Sequence, residues 1–271
     1  MNQMTLSRKE RKFLLDGDEA RQFKKKLKKY INAHSFIKGK VLTLVSTVYF
    51  DTNNLSLFNQ SIKDPTQNTK IRAREYYYYN HELIEHALNL DELYEHKQDI
   101  FLEIKAKNQN ITSKKRLMIP RVLLQTAKKE HMSNEHFLNE LKKVNPEFED
   151  KPFSTVIKQF AYDEIRPVAV VHYARNAYEN EEMGLRISLD QEMSFHKMNQ
   201  TEFEGDFSWR KDHLPDSIYD ETKVILEVKS LKEWPKWLNE LIGDSQPQQY
   251  SKFTECMKKV TGTNKDVEVN S

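Results

Sequence analysis

The sequence predicts an α+β protein in which about eight strands close into an antiparallel β-barrel tunnel flanked by helices. Three observations predict this. Short segments alternate apolar and charged residues with period two, as strands with two unlike faces do. Amphipathic helical segments are interleaved with them, which argues against separate helical and sheet domains. The polar strand faces hold mostly Lys and Arg with single Glu residues, and few of the Thr, Ser and Gln that fill a solvated sheet.

The strands expected are Arg8–Leu15, Val41–Asp51, Lys70–Tyr79, Ile100–Lys107, Ile111–Pro120, Val168–Tyr178, Gly184–Phe195 and Lys223–Leu231. Asn108-Gln109-Asn110 reads as the turn of a hairpin. Asp18 is placed to cap a helix over Glu19–His34, with Phe23, Leu27, Tyr30 and Ile31 on one face and lysines opposite. Asn53 or Asn54 opens a short helix through Leu55 and Phe58. Ser133–Val144 carries Phe137, Leu138, Leu141 and Val144 at helical spacing, and Thr155–Ile165 is similar. Trp234–Ile242 holds Pro235 in its first turn, and a last helix follows Ser251. There is no repeat and no low-complexity linker, so residues 1–271 read as a single domain, with a polar tail over 261–271 that is expected to fray.

Composition narrows the function. Lys and Arg number 43 against 41 Asp and Glu, a formal net charge of +2, so any basic site must come from placement rather than total charge. The single cysteine, Cys256, excludes an internal disulfide and a cysteine zinc cluster. Residues 1–13 lack the apolar core of a signal peptide, and no stretch approaches the ~18 apolar residues of a membrane span. The expected location is therefore cytoplasmic. His172, His196 and His213 lack metal-ligand spacing and read as surface or packing residues. Lys24, Lys25, Lys26, Lys28 and Lys29 read as a solvated helix face, not a nucleic-acid surface. Trp234 and Trp237 read as core, and the acids of Asp91–Glu95 as part of an insertion. Tyr76–Tyr79 reads equally as a strand end or a binding edge.

The strand faces carry the chemistry. Leu102 and Ile104 oppose Glu103 and Lys105, and Leu226 and Val228 oppose Glu227 and Lys229. Leu185, Ile187 and Leu189 oppose Arg186, Ser188 and Asp190, while Ile71 and Ala73 oppose Lys70, Arg72 and Arg74. Arg8, Glu10 and Lys12 share one face near the N-terminus. Like charges side by side on a sheet destabilise it, so such a face calls for a counter-anion. Turned inward, with the apolar face against helices, these cations would line a tunnel. Only a densely charged ligand offsets the desolvation of so many cations, and linked phosphates match both Arg forks and Lys point charges.

An ordered set of motifs then carries a family resemblance. Glu10-Arg11-Lys12-Phe13, Ser46-Thr47-Val48-Tyr49-Phe50-Asp51-Thr52, Lys70-Ile71-Arg72-Ala73-Arg74 and Phe101-Leu102-Glu103-Ile104-Lys105 come first. Tyr173-Ala174-Arg175, Leu185-Arg186-Ile187-Ser188-Leu189-Asp190, Leu226-Glu227-Val228-Lys229 and Ser251-Lys252-Phe253 follow. Together they resemble the VTC domain, the polyphosphate polymerase domain of the CYTH-like triphosphate tunnel metalloenzymes. The resemblance implies a metal-dependent enzyme that moves the γ-phosphoryl of ATP onto a polyphosphate chain and releases ADP, with Mn or Mg as cofactor. Carried over by position, Arg72, Arg74, Lys105, Arg175, Arg186 and Glu227 would be catalytic. Lys12, Lys114, Tyr173, Lys229, Ser251 and Lys252 would bind phosphate. Glu227 would be the principal metal ligand, helped by Glu10, Glu103 or Asp190. The partners implied are ATP and polyphosphate, with no nucleic acid. A membrane protein that translocates the polymer would hold the chain at the inner face of the membrane.

The sequence departs from the family pattern in three places. Arg8 stands where the hydrolase branch opens its Glu-x-Glu-x-Lys pattern, which favours the VTC branch over triphosphatases and cyclases. The Tyr76–Asp99 segment between two tunnel strands is long, and Gln249 stands where a lysine is expected beside Ser251 and Lys252. Two further readings stay open: a triphosphate or NTP hydrolase of the same fold, and a polyphosphate-binding module without turnover.

Overall fold

The computed structural model describes residues 9–79, 99–109, 111–146, 165–204 and 209–263. In chain order its elements are β1 (Lys9–Leu15), α1 (Gly17–Leu27), β2 (Ala33–His34), β3 (Leu42–Thr52), α2 (Ser56–Lys63), β4 (Gln67–Tyr79), β5 (Asp99–Asn108), β6 (Ile111–Pro120), α3 (Arg121–Lys129) and α4 (Asn134–Val144). There follow β7 (Ile165–Asn180), β8 (Leu185–Lys197), α5 (Gln200–Glu204), β9 (Ser217–Glu221), β10 (Val224–Ser230), α6 (Lys236–Ile242) and α7 (Lys252–Thr261). The strands form one ten-stranded sheet, ordered β1-β10-β8-β7-β3-β4-β5-β6, with β2 on β7 and β9 on β8. Every pairing is antiparallel.

The expected closed barrel is corrected by this order: β1 and β6 end the path and do not pair with each other. Their composition gives a reason. β1 presents Lys9, Arg11 and Lys12, and β6 presents Lys114, Lys115 and Arg116, so pairing them would set like charges side by side. The sheet is nonetheless strongly curled. Lys105 of β5 feels Glu10 and Lys12 of β1 and Lys229 of β10, strands from the opposite end of the path. The free edge of β1 is met by the segment before α7, where the Gln248 N–H donates to the Lys12 carbonyl (2.8 Å).

Alternation decides what each face does. Outward, Phe13, Leu226, Val228 and Ile187 pack with Phe23 and Leu27 of α1 and Leu238 and Ile242 of α6. Val48, Ile71, Leu102 and Ile104 pack with Leu124 of α3, Phe137 and Leu141 of α4, and Phe203 of α5. Inward, one end is apolar: Val45, Tyr49, Val171 and Phe195 receive Phe253, Cys256 and Met257 of α7. The rest of the inner face is mainly charged, with Tyr173 and Thr47 among the cations. No helix among the described residues is long and apolar enough to cross a membrane.

Several local expectations are also corrected. α1 is capped by Asp16 rather than Asp18, through a reciprocal capping box with Glu19. It ends at Leu27, so Tyr30 lies outside the helix, exposed and stacked on Trp237 at 4.8 Å. β2, α3, α5 and β9 are not expected from the sequence, and residues 155–164 of the expected Thr155–Ile165 helix lie outside the described residues, with Ile165 opening β7. Tyr76–Tyr79 completes β4, while Asp91–Glu95 lies outside the described residues. The β5–β6 turn holds: Asn108 pairs with Ile111, and Gln109 adopts the positive φ (52°) that a two-residue hairpin turn requires.

Candidate functional site

Strand register brings the proposed residues onto one face. Lys12 sits opposite Glu227, Glu10 opposite Lys229, Lys229 opposite Arg186, Arg175 opposite Asp190, Arg72 opposite Glu103, and Lys105 opposite Lys114. Tyr173 and Arg175 share that face of β7, and Ser251 and Lys252 reach it from the start of α7. The face divides into groups, each built round a carboxylate.

Glu103 is fully buried and holds three cations. Arg72 Nη2 lies 2.7 Å away, Lys114 Nζ 2.9 Å and Arg116 Nη2 2.5 Å, with Arg74 Nη1 at 3.9 Å. Burial pushes its carboxyl up, but Arg74, Arg72 and Lys114 outweigh that and hold it well below the usual carboxylate range. Arg74 is also fixed by the Thr47 hydroxyl, to which its Nε donates at 3.1 Å. Thr47 belongs to the Ser46–Thr52 motif, whose Asp51 accepts from the Leu57 and Phe58 N–H groups (2.9 and 2.8 Å) and so anchors the start of α2.

Asp190 is the second centre. Arg175 grips it with a fork, Nε at 2.5 Å and Nη2 at 2.7 Å, and Lys252 Nζ lies 2.6 Å away. Burial opposes ionisation, but these two cations hold its carboxyl below the usual range. Tyr173 is buried beneath them, its ring centroid 5.3 Å from the Arg175 guanidinium and 5.0 Å from the Lys252 ammonium. Its placement is that of a platform which aims both cations.

Glu227 is the third. Lys229 Nζ lies 2.7 Å from it and Arg175 at 4.0 Å; these cations overcome burial and hold its carboxyl well below the ordinary range. The same Lys229 ammonium lies 3.7 Å from Glu10, which also pairs with Lys12 at 3.2 Å. Two carboxylates thus converge on one cation position. Hard carboxylate oxygens suit Mg or Mn, which needs one or two protein carboxylates when phosphate supplies other ligands. Glu227 and Glu10 therefore fit such an ion. Glu103 and Asp190 are more fully engaged, Glu103 by three close cations and Asp190 by the Arg175 fork and Lys252, whereas Glu227 has one close donor, Lys229. Among the described residues, no cluster of three His, Cys, Asp or Glu could hold a metal ion by itself.

The remaining residues complete the lining. Arg186 lies over the Phe36 ring at 5.2 Å. Lys114 is in the register expected of it, since Lys115 pairs with Ile104 on the other face. Sequence reasoning left two cations out of the site. Arg116 pairs with Glu103, and Lys70 donates to the Ser251 hydroxyl at 2.8 Å. The alternation rule contained both, because Arg116 is two residues from Lys114 and Lys70 two from Arg72. Gln249 is exposed, and Arg8 lies outside the described residues. The histidines have packing partners: His172 faces the Ser46 hydroxyl at 2.9 Å, and His196 meets the Pro215 carbonyl at 2.7 Å.

No curated protein matches the chain. Among solved structures, a candidate adenylate cyclase from Bacillus halodurans is similar at 12% identity, covering 90% of this chain and 96% of that one, with a TM-score of 0.48. A protein from Pyrococcus horikoshii OT3 is 12% identical, with 93% and 99% coverage and a TM-score of 0.44. A candidate adenylate cyclase from Vibrio parahaemolyticus is 11% identical, with 93% and 97% coverage and a TM-score of 0.41. The VTC domain family model matches residues 7–261, nearly the whole chain, and the chain therefore belongs to the VTC domain family.

Proposed function

We propose that the protein is a polyphosphate polymerase-type phosphotransferase, which moves the γ-phosphoryl of ATP onto a growing polyphosphate chain and releases ADP. The observation that carries this reading is the inner face itself, where Lys and Arg outnumber carboxylates and the carboxylates fix the cations in place. Phosphoryl transfer asks a protein mainly for positioning and charge stabilisation. Arg72 and Arg74 on β4, Lys105 on β5, Arg175 on β7 and Arg186 on β8 would grip the triphosphate. Held at preset positions, they stabilise charge building on the transferred group and the leaving diphosphate without reorganising. Lys12, Lys114, Lys229, Ser251 and Lys252 extend the grip along the chain. The acceptor oxygen of a polyphosphate end is already ionised, so no general base is needed.

A divalent Mn or Mg ion held by Glu227 with Glu10 would supply Lewis acidity to the phosphate oxygens. Glu227 would release Lys229 to hold it, freeing that lysine for phosphate. Incubation of the purified protein with ATP and Mn, followed by gel electrophoresis and nucleotide analysis, tests the reading. Long anionic polymer with stoichiometric ADP is expected. Free phosphate instead would make the protein a hydrolase, and tight polyphosphate binding without ATP turnover would make it a binding module.

A further inference from the structure

We propose that Lys70 is a further phosphate-binding residue, and that a phosphate chain entering its corner of the inner face draws a proton from solvent onto the Lys70 amine. This rests on the proposed function. Seven inner-face cations pair with a carboxylate: Arg72, Lys114 and Arg116 with Glu103, Arg175 and Lys252 with Asp190, Lys229 with Glu227, Lys12 with Glu10. Lys70 and Lys105 are different. They sit directly opposite each other on β4 and β5, and no carboxylate pairs with either among the described residues. Like charges directly across a sheet repel, and with no carboxylate between them this pair calls for an anion.

The surroundings of Lys70 deepen that need. Its Nζ donates to Ser251 Oγ, and it lies 5.7 Å from the centre of the Phe253 ring. Ser251 is also the N-cap of α7, so the end of the corner is closed by a hydroxyl and the positive end of a helix. The charges that act most on Lys70 are positive: Lys105 and Lys107 from β5, Lys12 from β1 and Arg72 from its own strand. Glu10 acts on Lys105 but does not pair with Lys70. Burial first, and then these cations, push the Lys70 amine down to about 7. Gln249 replaces the expected lysine near Ser251, and Lys70 reaches the same segment from across the sheet.

The sign of the effect follows. In the empty protein Lys70 is mostly neutral above about pH 7. A bound polyanion favours the charged form and raises its pKa toward the ordinary ~10.4 for lysine. Between the two values, binding takes up a proton, and affinity falls as pH rises. Lys70→Arg keeps the cation permanently charged; Lys70→Met removes it.

Calorimetric titration of the full chain with tripolyphosphate, without divalent metal, tests this from about pH 6 to about pH 9 in buffers of differing ionisation heat. For the native protein, affinity should fall by up to roughly tenfold per pH unit above about 7, relative to Lys70→Arg, with proton uptake approaching one per site. Any titration of the ligand itself is common to both proteins and cancels in the comparison. Lys70→Met should bind more weakly at low pH and lose the uptake. Parallel pH profiles and equal proton uptake in native protein and Lys70→Arg would overturn the inference. Failure of the native protein to bind tripolyphosphate at any pH would overturn the proposed function, and this inference with it.

Discussion

At the scale of single residues, the acids on the inner face act as fasteners for the bases. Glu103 gathers Arg72, Lys114 and Arg116, and Asp190 fixes the Arg175 fork and Lys252. Replacing Glu103 by Gln removes the charge that compensates buried guanidiniums. It should destabilise the protein by about 3 kcal/mol in urea unfolding at neutral pH. The pH dependence has a definite sign. Glu103, Asp190 and Glu227 have folded-state pKa values below their unfolded ones. Their stabilisation is therefore full above the ordinary carboxylate range and drains away as pH falls through the lowered values. Thermal unfolding should show a steep acid loss beginning below about pH 4, and Asp190→Asn should make it shallower. For chemistry, Glu227→Gln and Arg74→Ala should each lower metal-dependent ATP consumption by about 100-fold, the cost of one lost electrostatic donor. Native rates in both variants would remove them from the mechanism.

At the scale of elements, α7 joins the apolar and charged parts of the inner face. Its Phe253, Cys256 and Met257 fill one end, while its first residues, Ser251 and Lys252, meet Lys70 and Asp190. Ser251→Ala deletes both the cap of α7 and the hydroxyl under Lys70. It should lower stability by about 1 kcal/mol, measured by chemical denaturation. It should also weaken tripolyphosphate binding, where a purely structural residue would leave affinity unchanged. The elements also show what could be read in advance. Period-two alternation in β4, β5, β8 and β10 separated the charged from the apolar face correctly, because side-chain direction in a strand depends on position alone. The α1 cap was misplaced because Asp16 and Asp18 both precede the apolar stripe, and only the reciprocal bond with Glu19 distinguishes them. Lys70 and Arg116 were visible as face members, but their partners lie on other elements, Ser251 181 residues and Glu103 13 residues away in sequence.

At the scale of the whole molecule, the sheet curls far enough to bring β5 near β1 and β10 without joining its edges. No local pattern encodes that distinction, since closure depends on the pairing of edges far apart in sequence. An unjoined seam bearing cations on both sides should respond to its ligand. A polyanion bound on the inner face would neutralise repulsion across the seam, so tripolyphosphate should raise the unfolding temperature, by an amount that shrinks as salt screens the charges. The central claim, that this face grips linked phosphates as a chain, is tested most directly by equilibrium binding of orthophosphate, diphosphate and tripolyphosphate under one set of conditions. Affinity should climb steeply with each added phosphate, by about tenfold or more per unit, as successive cations engage. Equal affinity for orthophosphate and tripolyphosphate would contradict the account.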